Sequence, residues 1–232
     1  MTFQFVHDGV AALNQLRRGS PAEEILDAVR KENVSMVALS THGRTGMARW
    51  ALGSVAEKVL QACPVPVLAV RAAERAVSRG RLERLPFREI LVALAGSEAS
   101  LQVLPRLLEF ARPMDATLRL LHVCEPSPYA GRWAEPDEPL ERAARTAREA
   151  CIPATLEIRR GDPAEEILKS SEERPTDLIA MATHGRSGPS LWAFGSVTSK
   201  VLRGATAPMM VVRETSGAAS RGDRRGNVHA RE

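Results

Sequence analysis

At 232 residues, with 44% hydrophobic and 26% charged side chains and a net charge of +4, the chain reads as one or two globular domains. No apolar run approaches the ~20 residues of a membrane span, and the start MTFQFVHDG lacks the basic-then-apolar order of a signal peptide. The cysteines, Cys63, Cys124 and Cys151, are scattered with no CxxC pair, so free thiols in a reducing cytoplasm are expected, and no metal site.

Taken along the chain, the first landmark is a strand near Ala11–Leu16, followed by RRGSPAEEIL, in which Ser20, Pro21 and Glu23 form a helix-start signal. A strand over Val34–Leu39 leads into THGRTG at Thr41–Gly46. Then come Trp50, a helix opening at Gly53-Ser54, where Ser54 and Glu57 spell a capping box, and an apolar strand VPVLAV over Val65–Val70. From Arg71 to Arg88 arginines outnumber acids. Without interleaved aromatics this reads as a solvated linker over 74–87, and nucleic acid is not the expected partner.

Beyond the linker, EILVAL (Glu89–Leu94) is a buried strand ending at the turn GSEAS. Leu101, Leu104, Leu107 and Leu108 follow at helical spacing. ATLRLLHV (Ala116–Val123) is a second strand, Glu125–Pro139 a polar loop, Leu140–Ala150 a helix and ATLEIR (Ala154–Arg159) a third strand. In GDPAEEIL, Asp162 is set to cap, Pro163 to open and Glu165 to complete the box of a helix. TDLIAMA (Thr176–Ala182) is a fourth strand, THGRSGPSLWAF a loop, Ser196–Gly204 a helix and PMMVVR (Pro208–Arg213) a fifth strand. The tail 215–232 is polar and expected to be disordered.

The chain repeats itself at an offset of 142: Gly9–Arg71 falls on Cys151–Arg213 without a gap, RRGSPAEEIL on RRGDPAEEIL, THGRTG on THGRSG and WALGSVAEKVL on WAFGSVTSKVL. Alternating strands and helices predict a doubly wound α/β module over 88–214, with ligands beyond the carboxyl ends of its strands. The first module, over 1–73, starts at the third strand.

The loop after the fourth strand carries the chemistry. Gly185 and Gly188 leave room for close approach. Gly195-Ser196 opens a helix whose free N–H groups suit phosphate, and Arg186, Ser187 and Ser196 add donors. The constellation fits a nucleotide polyphosphate. It equally fits a plain turn in which Ser196 caps a helix, as Ser54 with Glu57 would in the first copy. His42 and His184 read as loop hydrogen-bonders and Trp50 and Trp192 as packing residues.

At these residues the chain resembles the universal stress proteins in tandem form: ILVALAGSEAS is similar to the family's opening strand, LLHVCEP to its second strand, and the spaced G-x-x-G then G-S to its nucleotide loop. The resemblance implies a Rossmann-like sheet in the order 3-2-1-4-5, with an N-terminally truncated first module. It also implies a cytoplasmic stress-response protein with no catalytic reaction of its own. It places ATP on Gly185, Gly195 and Ser196, with Arg186, Ser187 and Val197 beside them and the Val123 backbone against adenine. Two positions depart from the pattern. Ala182 (Ser40 in the other copy) stands for the first glycine, and Ala95 stands for an aspartate resembling a ribose contact. Losing a charged hydrogen bond costs about 1.5–3 kcal/mol, so weak binding, confined to the second module, is expected. A scaffold acting through protein contacts is the alternative, whereas a metabolic Rossmann enzyme lacks its G-x-G-x-x-G turn. The family's fifth strands pair between modules. The expected partners are therefore a nucleotide and an intramolecular or homodimeric mate across Val65–Val70 and Pro208–Arg213, with no membrane.

Overall fold

The computed structural model describes residues 2–7, 10–41, 52–71, 87–125, 138–183 and 195–213. The linker apart from Phe87, the tail and most of both THGR loops lie outside these ranges. The chain opens with β1 (Thr2–His7) and β2 (Val10–Gln15), an antiparallel hairpin registered from Thr2↔Gln15 to His7↔Val10. Part of β2 is the expected third strand of the first copy, but its partner is β1 and the pair joins no other strand. A strand two residues upstream is reached at little loop-closure entropy, whereas a parallel neighbour needs a long crossover.

The rest of the first copy is α1 (Pro21–Lys31), β3 (Val37–Ser40), α2 (Ser54–Ala62) and β4 (Val67–Val70). Pro21 opens α1, Glu23 and Glu24 lie in its first turn and Arg30 and Lys31 in its last, all matched to the helix dipole. Ser20 stands at the N-cap, where its carbonyl accepts from the Glu24 amide at 3.0 Å but its side chain makes no capping bond. Arg17 holds the helix instead, bonding Asp27 at 3.0 Å and Glu32 at 2.7 Å.

The second copy supplies β5 (Glu89–Leu94), α3 (Val103–Ala111), β6 (Thr117–Cys124), α4 (Glu138–Glu149), β7 (Ala154–Arg160), α5 (Pro163–Glu173), β8 (Leu178–Thr183), α6 (Ser196–Gly204) and β9 (Met209–Arg213). These five strands run parallel in the order β7-β6-β5-β8-β9, the expected 3-2-1-4-5. The sheet does not stop there. β4 lies antiparallel on β9, with Val67↔Val211, Leu68↔Met210 and Ala69↔Met209, and β3 follows in parallel on β4. The fifth strands of the two copies thus pair antiparallel within the chain, as expected, and this extends the five-stranded sheet expected of the second copy. One mixed seven-stranded sheet, β3-β4-β9-β8-β5-β6-β7, runs through both copies. The apolar edge of β9 would otherwise expose its backbone donors and acceptors, and β4 satisfies them.

The prolines before these two strands act alike. Pro66 and Pro208 lack an N–H, yet their carbonyls accept from Val37 at 3.0 Å and from Ile179 at 2.9 Å, positions related by the repeat. Arg71, just past β4, donates to the Arg203 carbonyl in the last turn of α6, where a cation suits the helix end.

Alternate residues of the central strands feed two cores. Leu91, Ala93, Ile179 and Met181 pack beneath α1, α2, α5 and α6; Ile90, Val92, Leu178 and Ala180 pack beneath α3 and α4. Burial on both faces is why Ile90–Leu94 is an unbroken apolar run. The hairpin stands apart, with Leu13 and Leu16 exposed. Limited proteolysis is therefore expected to cut before Arg17 first and to leave a fragment that still unfolds cooperatively. Mass spectrometry of the early products checks this, and simultaneous cuts throughout would contradict it.

Candidate nucleotide site

The chain reverses its winding direction at β5, with β6 and β7 on one side and β8 and β9 on the other. Ligands of such sheets sit beyond the carboxyl ends of the strands at that point. Leu94 ends β5, Ala95 is exposed, and Gly96 turns the chain at φ 74°, a left-handed angle that favours glycine. The turn closes on Ser100, whose hydroxyl donates to the Ser97 carbonyl at 2.7 Å and whose amide donates to Ser97 Oγ at 3.2 Å.

Beside this turn β6 ends. Val123 is half-buried and packs against the core beneath α1, α2, α5 and α6, as does Val197 in the first turn of α6. The structure thus places two of the expected nucleotide residues on one face and one apolar cluster. His122, which sequence reasoning passed over, points to the other face. Its Nδ1 lies 3.0 Å from the Leu94 carbonyl, and its ring lies under Gly96.

At the start of α6 the N-cap is Gly195, and Ser196 is the exposed first helical residue. The reading of Ser196 as a cap is corrected, and so is the Ser54–Glu57 box. Gly53 caps α2, and neither cap makes a side-chain bond, because glycine has no side chain to offer. The first-turn N–H groups of α6 have no capping side chain. Gly185, Arg186 and Ser187 lie outside the described residues, as do Gly188, His42, His184, Trp50 and Trp192.

The two copies differ where the repeat makes them comparable. The Gly53 amide donates to the Thr41 carbonyl at 2.9 Å, and a Cβ on Gly53 would stand 3.3 Å from that same oxygen. At Gly195, among the described residues, no carbonyl takes up the amide, and a Cβ would meet nothing within 4 Å. The first copy ties its cap amide to its own backbone, and among the described residues the second copy shows no such bond.

Charge near the opening is arranged by α5. Asp162 caps that helix as expected, accepting from Ala164 at 3.0 Å and Glu165 at 3.1 Å, and Lys200 of α6 reaches its other oxygen at 3.1 Å. The Glu165 amide, then Lys200, hold the Asp162 carboxyl below its ordinary range. Beneath α5 lies a second cluster of Arg119, Glu157 and Arg159. Arg119 Nε faces Glu157 Oε2 at 3.1 Å, as a charge pair without hydrogen-bond alignment. Among the described residues no group of acids, histidines and cysteines could hold a metal ion. A cavity of about 600 Å³ bounded by Arg112, Asp115, Glu149 and Cys151 opens at the amino ends of β6 and β7, away from the switch point.

A model described as "Universal stress protein family" matches residues 4–71 and 86–213. A universal stress protein of Mycolicibacterium smegmatis is 28% identical over 215 residues, spanning 88% of this chain and 70% of that protein. Among solved structures, a universal stress protein from Archaeoglobus fulgidus superposes with a TM-score of 0.59 at 25% identity, over 85% of this chain and 67% of its own. An Arabidopsis thaliana family member solved with AMP bound is 19% identical over 56% of this chain and 93% of its own, with a TM-score of 0.43.

Proposed function

The chain belongs to the universal stress protein family, and from that premise we propose that it is a nucleotide-binding stress-response regulator with one weak ATP site, in its second copy. In this reading residues 88–214 form the working module and residues 1–73 a shortened companion. The protein acts in the cytoplasm, where its unpaired cysteines suit a reducing medium, and without a catalytic reaction of its own.

The observation that carries the proposal is the contrast between Gly195 and Gly53. A helix N-terminus whose N–H groups are not claimed by a capping side chain among the described residues offers them, with partial positive charge, to phosphate. Val123 and Val197 supply apolar surface on the same side for the base. Arg186, Ser187 and Gly185 complete the phosphate loop in this proposal, and Ser196 adds a hydroxyl. Ala95 removes a carboxylate from the ribose end and sets the affinity low.

Titration calorimetry with magnesium-ATP tests it. One site per chain is expected, and Gly195→Val is expected to abolish the heat. Because Gly195 sits at φ −54° with space around it, the substitution leaves the fold intact, and an unchanged melting curve shows this. Two sites, or binding indifferent to Gly195→Val, would overturn the proposal. The scaffold reading draws on Ala95 and on the β4–β9 seam. It takes over if no nucleotide binds even after Ala95→Asp.

A further inference from the structure

We propose that His122 is a positioning residue for this site. It fixes the backbone of residue 95, the point from which the sugar of a bound nucleotide is met. The inference rests on the nucleotide reading above and adds a residue that works through another rather than touching the ligand.

Leu94↔His122 is the last registered pair between β5 and β6. Beyond it the ladder no longer holds β5, yet the next residue is exposed at the carboxyl end of the strand, where ligands of such sheets bind. His122 takes over from the ladder. The Leu94 carbonyl only accepts, so the 3.0 Å contact requires the proton on Nδ1. The ring then lies under the turn, where a Cβ on Gly96 would stand 3.0 Å from His122 Cε1. Gly96 at φ 74° is thus both the residue that tolerates the angle and the one that leaves room for the ring. On its far side the turn is tied down by the paired Ser97–Ser100 bonds. Ala95 is exposed between these two clamps. A rigid frame surrounds a position that carries only a methyl group. A side chain restored there meets its ligand from a fixed origin, which is what makes one added hydrogen bond effective.

A histidine that merely fills space would be replaced well by leucine. A histidine that holds the carbonyl would be replaced better by asparagine, whose amide N–H lies close to the place of Nδ1–H. Two measurements on the full chain separate these roles. In calorimetry with magnesium-ATP, Ala95→Asp is expected to tighten binding tenfold to a hundredfold. The gain should persist with His122→Asn and fall below about threefold with His122→Leu. Hydrogen exchange needs no ligand. The amides of residues 95–97 should exchange at least about tenfold faster in His122→Leu than in His122→Asn, with the rest of β5 unchanged. A full Ala95→Asp gain in the leucine background, or equal exchange in the two variants, overturns the inference. If no variant binds nucleotide, the functional proposal falls, and the exchange result alone then upholds or overturns the clamp.

Discussion

Glu157→Gln is expected to lower stability by about 3 kcal/mol, the largest effect of any single charged residue in the described structure. Glu157 has 11% of its side chain exposed and lies between Arg119 at 9% and Arg159 at 15%. Burial works to raise its carboxyl, and the bonds from Arg159 and Ser170 with the two guanidinium charges overcome that, leaving it below its ordinary value. Neutralising it takes the carboxylate from buried Arg119, while half-buried Arg159 keeps Glu166 at 3.3 Å and Glu173 at 2.6 Å. The pH dependence follows in sign. A carboxyl depressed in the folded state contributes stability that is fully present above its unfolded value, about 4.3. That stability is lost as pH falls through the depressed folded value. The wild type should therefore weaken as acid is added below that point, and Glu157→Gln should weaken less steeply. Urea melts at neutral pH and across the acid range measure both. The first copy shows why the cost is local. Its repeat-related residue is Gln15, and Arg17 Nε bonds that amide at 3.1 Å without a second buried arginine opposite.

The second large effect concerns the seam. Met210 is fully buried, pairs with Leu68 across β9 and β4, and packs in the core beneath α3 and α4. Met210→Ala should cost about 2–5 kcal/mol through the cavity it leaves. Since the sheet is continuous, β3 and β6 should lose their exchange protection together in one transition. Separate transitions for the two strands would show that the copies unfold as independent bodies.

Much of this architecture was legible in the chain, and for physical reasons. Ile90–Leu94, Leu178–Ala182 and Met209–Val212 are unbroken apolar runs because their strands face helices on both sides. The helix start at Asp162 and Pro163 was legible because short-range capping needs only neighbouring residues. The 142-residue offset revealed which strands correspond, and the family resemblance implied which edges would meet. The hairpin was missed although TFQF alternates and Asp8-Gly9 is a strong turn pair; the repeat led to the reading that this strand had lost its neighbour. Gly195 was read as part of the phosphate loop and Ser196 as either a phosphate donor or the cap, because cap preference says nothing of which residue the backbone brings to that place. His122 had no signal of its own. Its role depends on a carbonyl 28 positions away, and only the parallel register of β5 and β6 brings the two together.

The seam also has an order in time. β4 is complete once Val70 has left the ribosome, but its antiparallel mate β9 is the last of the described strands to be made. Throughout synthesis of everything between, VLAV offers an open apolar edge with nothing of its own chain to receive it. On a polysome, the β9 of a neighbouring nascent chain is an equivalent mate, because the two chains are identical. The finished molecule hides this, yet its commonest assembly error should be a pair of chains that have exchanged their final strands. Slowing translation over the closing residues should enrich that exchanged pair over the monomer.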